Sequence, residues 1–362
     1  MQFWITKSGL EIFDLCRAYG FAILLSRSDR REGSPVITDA GGTYAVALDG
    51  GEPSNVHLRD NPDWHALFEP GRPPEGYAWD QLFITLKGEA GKRKKRDDAR
   101  AVLERQFDAL LKNAASPGLV ASLGRGETLP GPLDPAGFKG LRGRVLSDYS
   151  EGQTSVDSLN WALACLGGAV VGRYHWQRQA TGGVYYVAFA VPERIGVHNV
   201  MDIRRDTSQV RLSYVSLENA AAHYALTVAE HFRQRYAAIG ATDRFSGLLY
   251  FSLFQAGSGP TAQWKPGGGG WLNLGPLLDL AQRDPHGAAK VFKVWDYLFR
   301  RGSTRGSEDL ALAITDLVMR PSLDTFEGHV KVFWRYLVKG VKLENLYTEE
   351  ALKEVAGLVD DR

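Results

Sequence analysis

The chain has 362 residues, 44% of them hydrophobic and 23% charged, with a net charge of +1. These values sit near the averages for globular domains and exclude disordered, collagen-like and disulfide-scaffold classes. The two cysteines, Cys16 and Cys165, each lie in an apolar run; they give no disulfide framework and no zinc site, and they fit a reducing compartment. No basic region precedes an apolar stretch at the N-terminus, and the most apolar stretches, 159–172 and 245–254, fall short of a membrane span. The expectation is a cytoplasmic chain with no membrane partner.

In chain order, Ser8 followed by Glu11 forms a capping-box pattern ahead of Leu10, Phe13, Leu15, Cys16 and Tyr19, and Gly20 is placed to stop that helix. Residues 21–25 then read as a short buried strand. Residues 35–38 and 43–48 flank Asp39-Ala40-Gly41-Gly42 as a hairpin. Residues 51–74 read as loop, and 97–111 as a helix with a basic stretch running into its start. Residues 116–143 hold four prolines and seven glycines, an excursion or a boundary. A helix over 154–166 is followed by paired strands at 169–176 and 184–191, with 197–203 and 209–214 available to extend the sheet. The pattern over 217–239 is the longest helix, and 245–254 a buried strand. Beyond Gly270, five helical stripes follow at 272–282, 288–301, 307–319, 324–338 and 348–358, separated by short connections. The fold class expected is α+β, with a mixed α+β body over 1–265 and an all-α bundle over 271–362.

The charge is unevenly spread. Residues 1–90 carry 8 Lys and Arg against 13 Asp and Glu, residues 91–240 carry 20 against 14, and the remainder 15 against 15. Catalytic patterns are missing. Gly91-Lys92 lacks the spacing of a phosphate loop, and no GxGxxG, HExxH or nucleophile elbow is present. The eight histidines are scattered, and His198-Asn199 has no second ligand at useful spacing. No cofactor and no catalytic residue is expected.

Three features point to binding instead. Lys92, Arg93, Lys94, Lys95 and Arg96 could neutralise a phosphate backbone, or form a solvated helix start. Cations are disfavoured at a helix N-terminus by the macrodipole, so something must hold them there. Gln263, Trp264, Lys265, Gly267, Gly268, Gly269 and Gly270 form a tract that lets a backbone approach a ligand, or links the two domains. Arg173 begins a strand whose alternation sets Arg173, His175 and Gln177 on one face, a face for RNA or an edge guarded by charge.

The opening segment Ser8-Gly9-Leu10-Glu11-Ile12-Phe13-Asp14-Leu15-Cys16-Arg17-Ala18-Tyr19-Gly20-Phe21-Ala22-Ile23-Leu24-Leu25 resembles the start of large subunits of type I CRISPR interference (Cascade) complexes, nearest the compact type I-A and I-B group. Phe333-Trp334-Arg335-Tyr336-Leu337 and Tyr347-Thr348-Glu349-Glu350 are similar in flavour. The resemblance implies a non-catalytic subunit at the foot of the complex. Its implied partners are guide RNA, target DNA, sister subunits and a helicase-nuclease. It also implies recognition of the target-adjacent duplex motif and help in opening the duplex, with Gln263, Lys265 and the glycine tract as the contacting loop. Base pairing would carry the sequence specificity, leaving shape and charge to the protein. The alternatives are an enzyme with a dispersed active site and a scaffold without nucleic acid.

Overall fold

A computed structural model describes residues 1–58, 63–68, 78–86, 88–135, 154–179, 182–235, 243–256, 263–302, 306–339, 347 and 349–360. The chain opens with β1 (Gln2–Thr6), α1 (Glu11–Leu25), β2 (Asp29–Asp39), β3 (Thr43–Ser54), α2 (Asp63–Phe68), α3 (Ala78–Leu82), α4 (Glu89–Arg105) and α5 (Phe107–Ala115). It continues through β4 (Leu123–Thr128), β5 (Ser155–Val156), α6 (Ser158–Val171), β6 (Arg173–Gln179), β7 (Gly182–Gly196), α7 (Val197–Thr207) and α8 (Leu217–Arg235). Strands β8 (Arg244–Ala256) and β9 (Gln263–Asn273) precede α9 (Gly275–Arg283), α10 (Pro285–Gly302), α11 (Glu308–Met319), α12 (Leu323–Val338) and α13 (Glu349–Asp360). The α+β class and the five C-terminal helices match the sequence reading.

Two compact units result. The first holds Met1–Ser208, Thr242–Arg244 and Phe251–Gly268; the second holds Gln209–Ala241, Phe245–Tyr250 and Gly269–Arg362. This division differs from a boundary near 265–271, because α8 groups with the C-terminal helices. The reason is visible in its contacts: α8 packs on α9, α10 and α11, and Asn219 Nδ2 donates to Thr315 Oγ1 at 3.0 Å.

An antiparallel sheet forms from the alternating apolar residues of its strands. The strand order is β1-β3-β2-β7-β8-β9, with β6 also paired to β7. Phe3 pairs with Val46 and Ile37 with Val46 and Ile195, so their side chains join one buried face. The hairpin at 39–42 is present: Ala40 N donates to Thr43 O at 2.9 Å, Asp39 Oδ1 accepts from Gly41 N, and Gly41 takes φ +77°. Residues 180–181, between β6 and β7, lie outside the described residues.

Helix α1 departs from expectation in two ways. Its start is closed not by a Ser8–Glu11 box but by Asp14, which accepts from Ser8 N at 2.7 Å and Gly9 N at 3.0 Å. Asp14 is drawn inward by the buried Arg17, 2.8 Å away. The helix also runs through Gly20 to Leu25, absorbing the expected strand at 21–25. Gly20 is a crossing point: a Cβ there would lie on the Leu163 carbonyl oxygen of α6, 2.8 Å from its carbon. Gly167 of α6 reciprocates against the Cys16 carbonyl. The missing side chains let two largely buried helices touch backbone to backbone. Both cysteines are buried there, and burial pushes their thiols well above the usual range.

Elsewhere, the expected strand at 169–176 is the end of α6 followed by β6, and residues 197–203 are helix α7 rather than sheet. Helix α7 is started by Asp243, which accepts from Gly196 N and Asn199 Nδ2 at 3.1 and 3.0 Å. Residues 209–214 extend no strand; there Ser213 N donates instead to His223 of α8. Residues 136–153, inside and just beyond the proline- and glycine-rich excursion, lie outside the described residues, as do 236–242 beyond α8. No helix among the described residues is long and apolar enough to cross a membrane.

Candidate nucleic-acid interface

The basic run lies within the first two turns of α4, which begins at Glu89 rather than near Asp97. Successive residues on a helix turn by about 100°, so five adjacent cations fan around the axis and some meet protein. Lys95 Nζ reaches Glu127 Oε2 at 2.7 Å and sits 5.2 Å from the Trp161 ring. Lys92 is half-buried, 3.8 Å from Glu89, and its carbonyl accepts from Trp79 Nε1 at 2.8 Å. Arg96 is half-buried; Arg93 and Lys94 are exposed. The unfavourable placement of cations at a helix start is thus answered by Glu89, Glu127 and an indole face. Two of the five residues face solvent fully.

Arg173 moves out of the surface set. It is 1% exposed, with Nη1 donating to Tyr174 O at 3.1 Å, and His175 is buried beside it. The strand face that alternation marked as polar therefore points into protein.

The glycine tract is neither a linker nor a loop: Gly267, Gly268, Gly269 and Gly270 lie in β9, the last strand in the sheet order. Close approach to β8 accounts for two of the four glycines. A Cβ on Gly267 would collide with Ser252 Oγ, and one on Gly270 would lie 2.8 Å from the Tyr250 hydroxyl. The strand starts at Gln263, whose side chain lies outside the described residues. Its neighbour Trp264 joins a half-buried aromatic group with Trp176 of β6 and Tyr185 of β7. The ring centroids are 6.0 Å (Trp264–Trp176), 5.4 Å (Trp264–Tyr185) and 4.8 Å (Trp176–Tyr185). Lys265 follows on β9, also half-buried. The sequence places Trp176 only on the strand face opposite Arg173 and does not single out Tyr185; the pairing of Trp176 with Tyr185 across β6 and β7 is what creates the group.

Two histidines, His223 and His329, play internal roles. His223 accepts from Ser213 N through Nδ1 at 2.8 Å, so its Nε2 carries the proton and donates to Asp296 at 3.0 Å. Burial opposes ionisation of Asp296, but hydrogen bonds from His223 and Arg300 outweigh it and hold the carboxyl below its ordinary range. With its second nitrogen occupied by a backbone amide, His223 has no lone pair to act as a base. His329 Nε2 is hydrogen-bonded to the Tyr347 hydroxyl at 2.7 Å, and that hydroxyl accepts from Trp295 Nε1 at 2.9 Å. Burial pushes the His329 imidazole down to about 4. No cluster of three metal-ligating side chains occurs among the described residues.

No family model matches the chain. It is similar to an uncharacterized protein of Archaeoglobus fulgidus, 28% identical over an alignment that spans 99% of this chain and 98% of that one. The likeness therefore runs through both units.

Proposed function

We propose that the chain is a non-catalytic, nucleic-acid-binding large subunit of a type I CRISPR RNA-guided DNA surveillance complex. In this reading it recognises the duplex beside the target, helps to open it, and recruits a helicase-nuclease, in the cytoplasm. The observation that carries the reading is the half-buried aromatic group Trp176–Tyr185–Trp264. Half-buried rings of this kind are what unstacked bases stack on, while Lys265, the next residue on β9, is turned to the other face of the strand by alternation. The resemblance of residues 8–25 to such subunits supports the same conclusion. Arg93 and Lys94 add exposed charge on α4, whereas Arg173 has no part in it.

Affinity purification from native cells, with sequencing of co-purifying RNA, tests the reading. Short RNAs of uniform length sharing a repeat-derived 5′ end are expected, with sister subunits alongside. A chain that elutes alone and free of RNA overturns it.

A further inference from the structure

The balance of 15 basic against 15 acidic residues over 241–362 conceals a segregated surface. The exposed residues of α10 are His286, Lys290, Lys293, Tyr297, Arg300 and Arg301. Steps of four, three, four, three and one keep these on a single face of a helix. They span fifteen residue steps, about 22 Å of axis. Four Lys and Arg stand on α10 against its one carboxylate, Asp296, and against Asp284, one residue before the helix and close enough to interact with Lys290, which leaves a balance of +2. Asp296 itself is engaged with His223 at 3.0 Å and Arg300 at 2.7 Å.

Beside this face lies a cavity of about 430 Å³, with Leu226 and Phe292 among its apolar walls and Lys293 and Arg300 among its polar ones. Glu230, also in its lining, is held by a two-pronged pair with Arg233, both contacts at 2.7 Å. Asp296 lines it as well, so the cavity combines apolar walls with two cations and two carboxylates, inside one unit.

We infer that the second unit binds single-stranded nucleic acid along α10. Phosphates lie on Lys290, Lys293, Arg300 and Arg301, and a base stacks on Tyr297. The adjoining cavity accepts a neighbouring unstacked base. Charge complementarity selects a polyanion. The exposed ring in the middle of the stripe selects a single strand, because a duplex offers no free base face to stack on it. The inference rests on the nucleic-acid reading above but places the strand on residues that the reading does not use.

Fluorescence anisotropy of the full chain with labelled 20-nucleotide dT, 20-nucleotide U and a 20-base-pair duplex provides the test. Lys293→Glu with Arg301→Glu is expected to weaken single-strand binding at least tenfold. It should also flatten the log–log salt dependence by about 1.4, two phosphates at about 0.7 each. Tyr297→Ala should weaken binding about fivefold or more without changing the salt slope. Lys293→Arg with Arg301→Lys, which keeps the charge, should retain affinity and so separates charge loss from misfolding. The dT and U arms show whether DNA or RNA is held. If the parent chain binds single strands and the α10 variants bind them equally, the inference is overturned while the nucleic-acid reading stands. If Tyr297→Ala is silent and the duplex is preferred, it is overturned as well. A parent chain that binds none of the three probes overturns both.

Discussion

Replacing Gly20 with alanine places a methyl group where no side chain can move aside to admit it. Its Cβ would lie on the Leu163 carbonyl oxygen, 2.8 Å from the carbonyl carbon and 3.1 Å from Gly167 N, all of them α6 backbone. Carbon contacts need about 3.5–4.0 Å, so α1 must withdraw by close to an ångström. A radial gap of that size forfeits at least a quarter of each dispersion contact. A buried residue has about 50 such contacts of about 0.15 kcal/mol, so loosening just two residues on the seam removes about 4 kcal/mol. Alanine's helix propensity offsets about 1 kcal/mol. The net loss expected is about 3 kcal/mol, or a fall of about 6–12 °C in Tm for a unit of this size. Urea and thermal unfolding of the full chain measure it. Gly328→Ala in α12 is the control, since its Cβ would meet nothing within 4 Å and propensity alone should raise stability by up to about 1 kcal/mol. A Gly20→Ala variant as stable as Gly328→Ala would refute the packing argument.

Two further outcomes follow from buried polar groups. His329 titrates at about 4 in the folded chain against about 6.5 when unfolded. The unfolded chain therefore takes up the proton first, and stability present above pH 6.5 is lost as the pH falls towards 4, by roughly 3 kcal/mol in total. Urea midpoints of the parent and His329→Gln between pH 7 and pH 4 check this; identical pH slopes would count against it. Arg17 is fully buried and donates to Asp14, Asn160, Thr6 O and Leu119 O at 2.7–3.0 Å. Arg17→Met should cost about 3–5 kcal/mol by stranding Asp14, and Arg17→Lys a smaller amount because it lacks the fork. A lysine variant with parental stability would show that the geometry of the guanidinium is unimportant.

The hairpin at 39–42, the five C-terminal helices and the strand at 245–254 were legible because their signals are local: turn residues, apolar period and length. Gly20 shows where local reading ends. A glycine after an apolar helical stripe is the ordinary sign of a helix end, yet here it marks a crossing whose partner lies more than 140 residues away. The tract Gly267–Gly270 carries the same ambiguity. Its composition suits a linker, but what fixes its conformation is the space taken by Ser252 and Tyr250 on β8. Arg173 and His175 show the converse, since alternation gives two faces of a strand without saying which is covered.

Charge shows most directly why proximity in sequence misleads. The run Lys92–Arg96 is the densest cationic stretch in the chain, but adjacency in a helix distributes side chains around the axis. Half-buried Lys92, Lys95 and Arg96 pack against the protein, two of them with Glu89 and Glu127 as counter-charges. The cations of α10, apart from the adjacent Arg300 and Arg301, are spaced out along the helix among apolar residues. Their spacing follows the helical repeat, so every apolar residue between them turns inward and the charges accumulate on one side. A polyanion meets the surface and not the sequence. The effective field is that of residues sharing a face, and on that measure α10 exceeds α4, whose exposed Arg93 and Lys94 point in directions about 100° apart. Comparing salt slopes for charge reversal at Lys290 and Arg301, about 20° apart around the axis, with reversal at Arg93 and Lys94 puts this to direct measurement. The α10 pair should flatten the slope more, and an equal effect from the α4 pair would mean that local density, not facial alignment, governs binding.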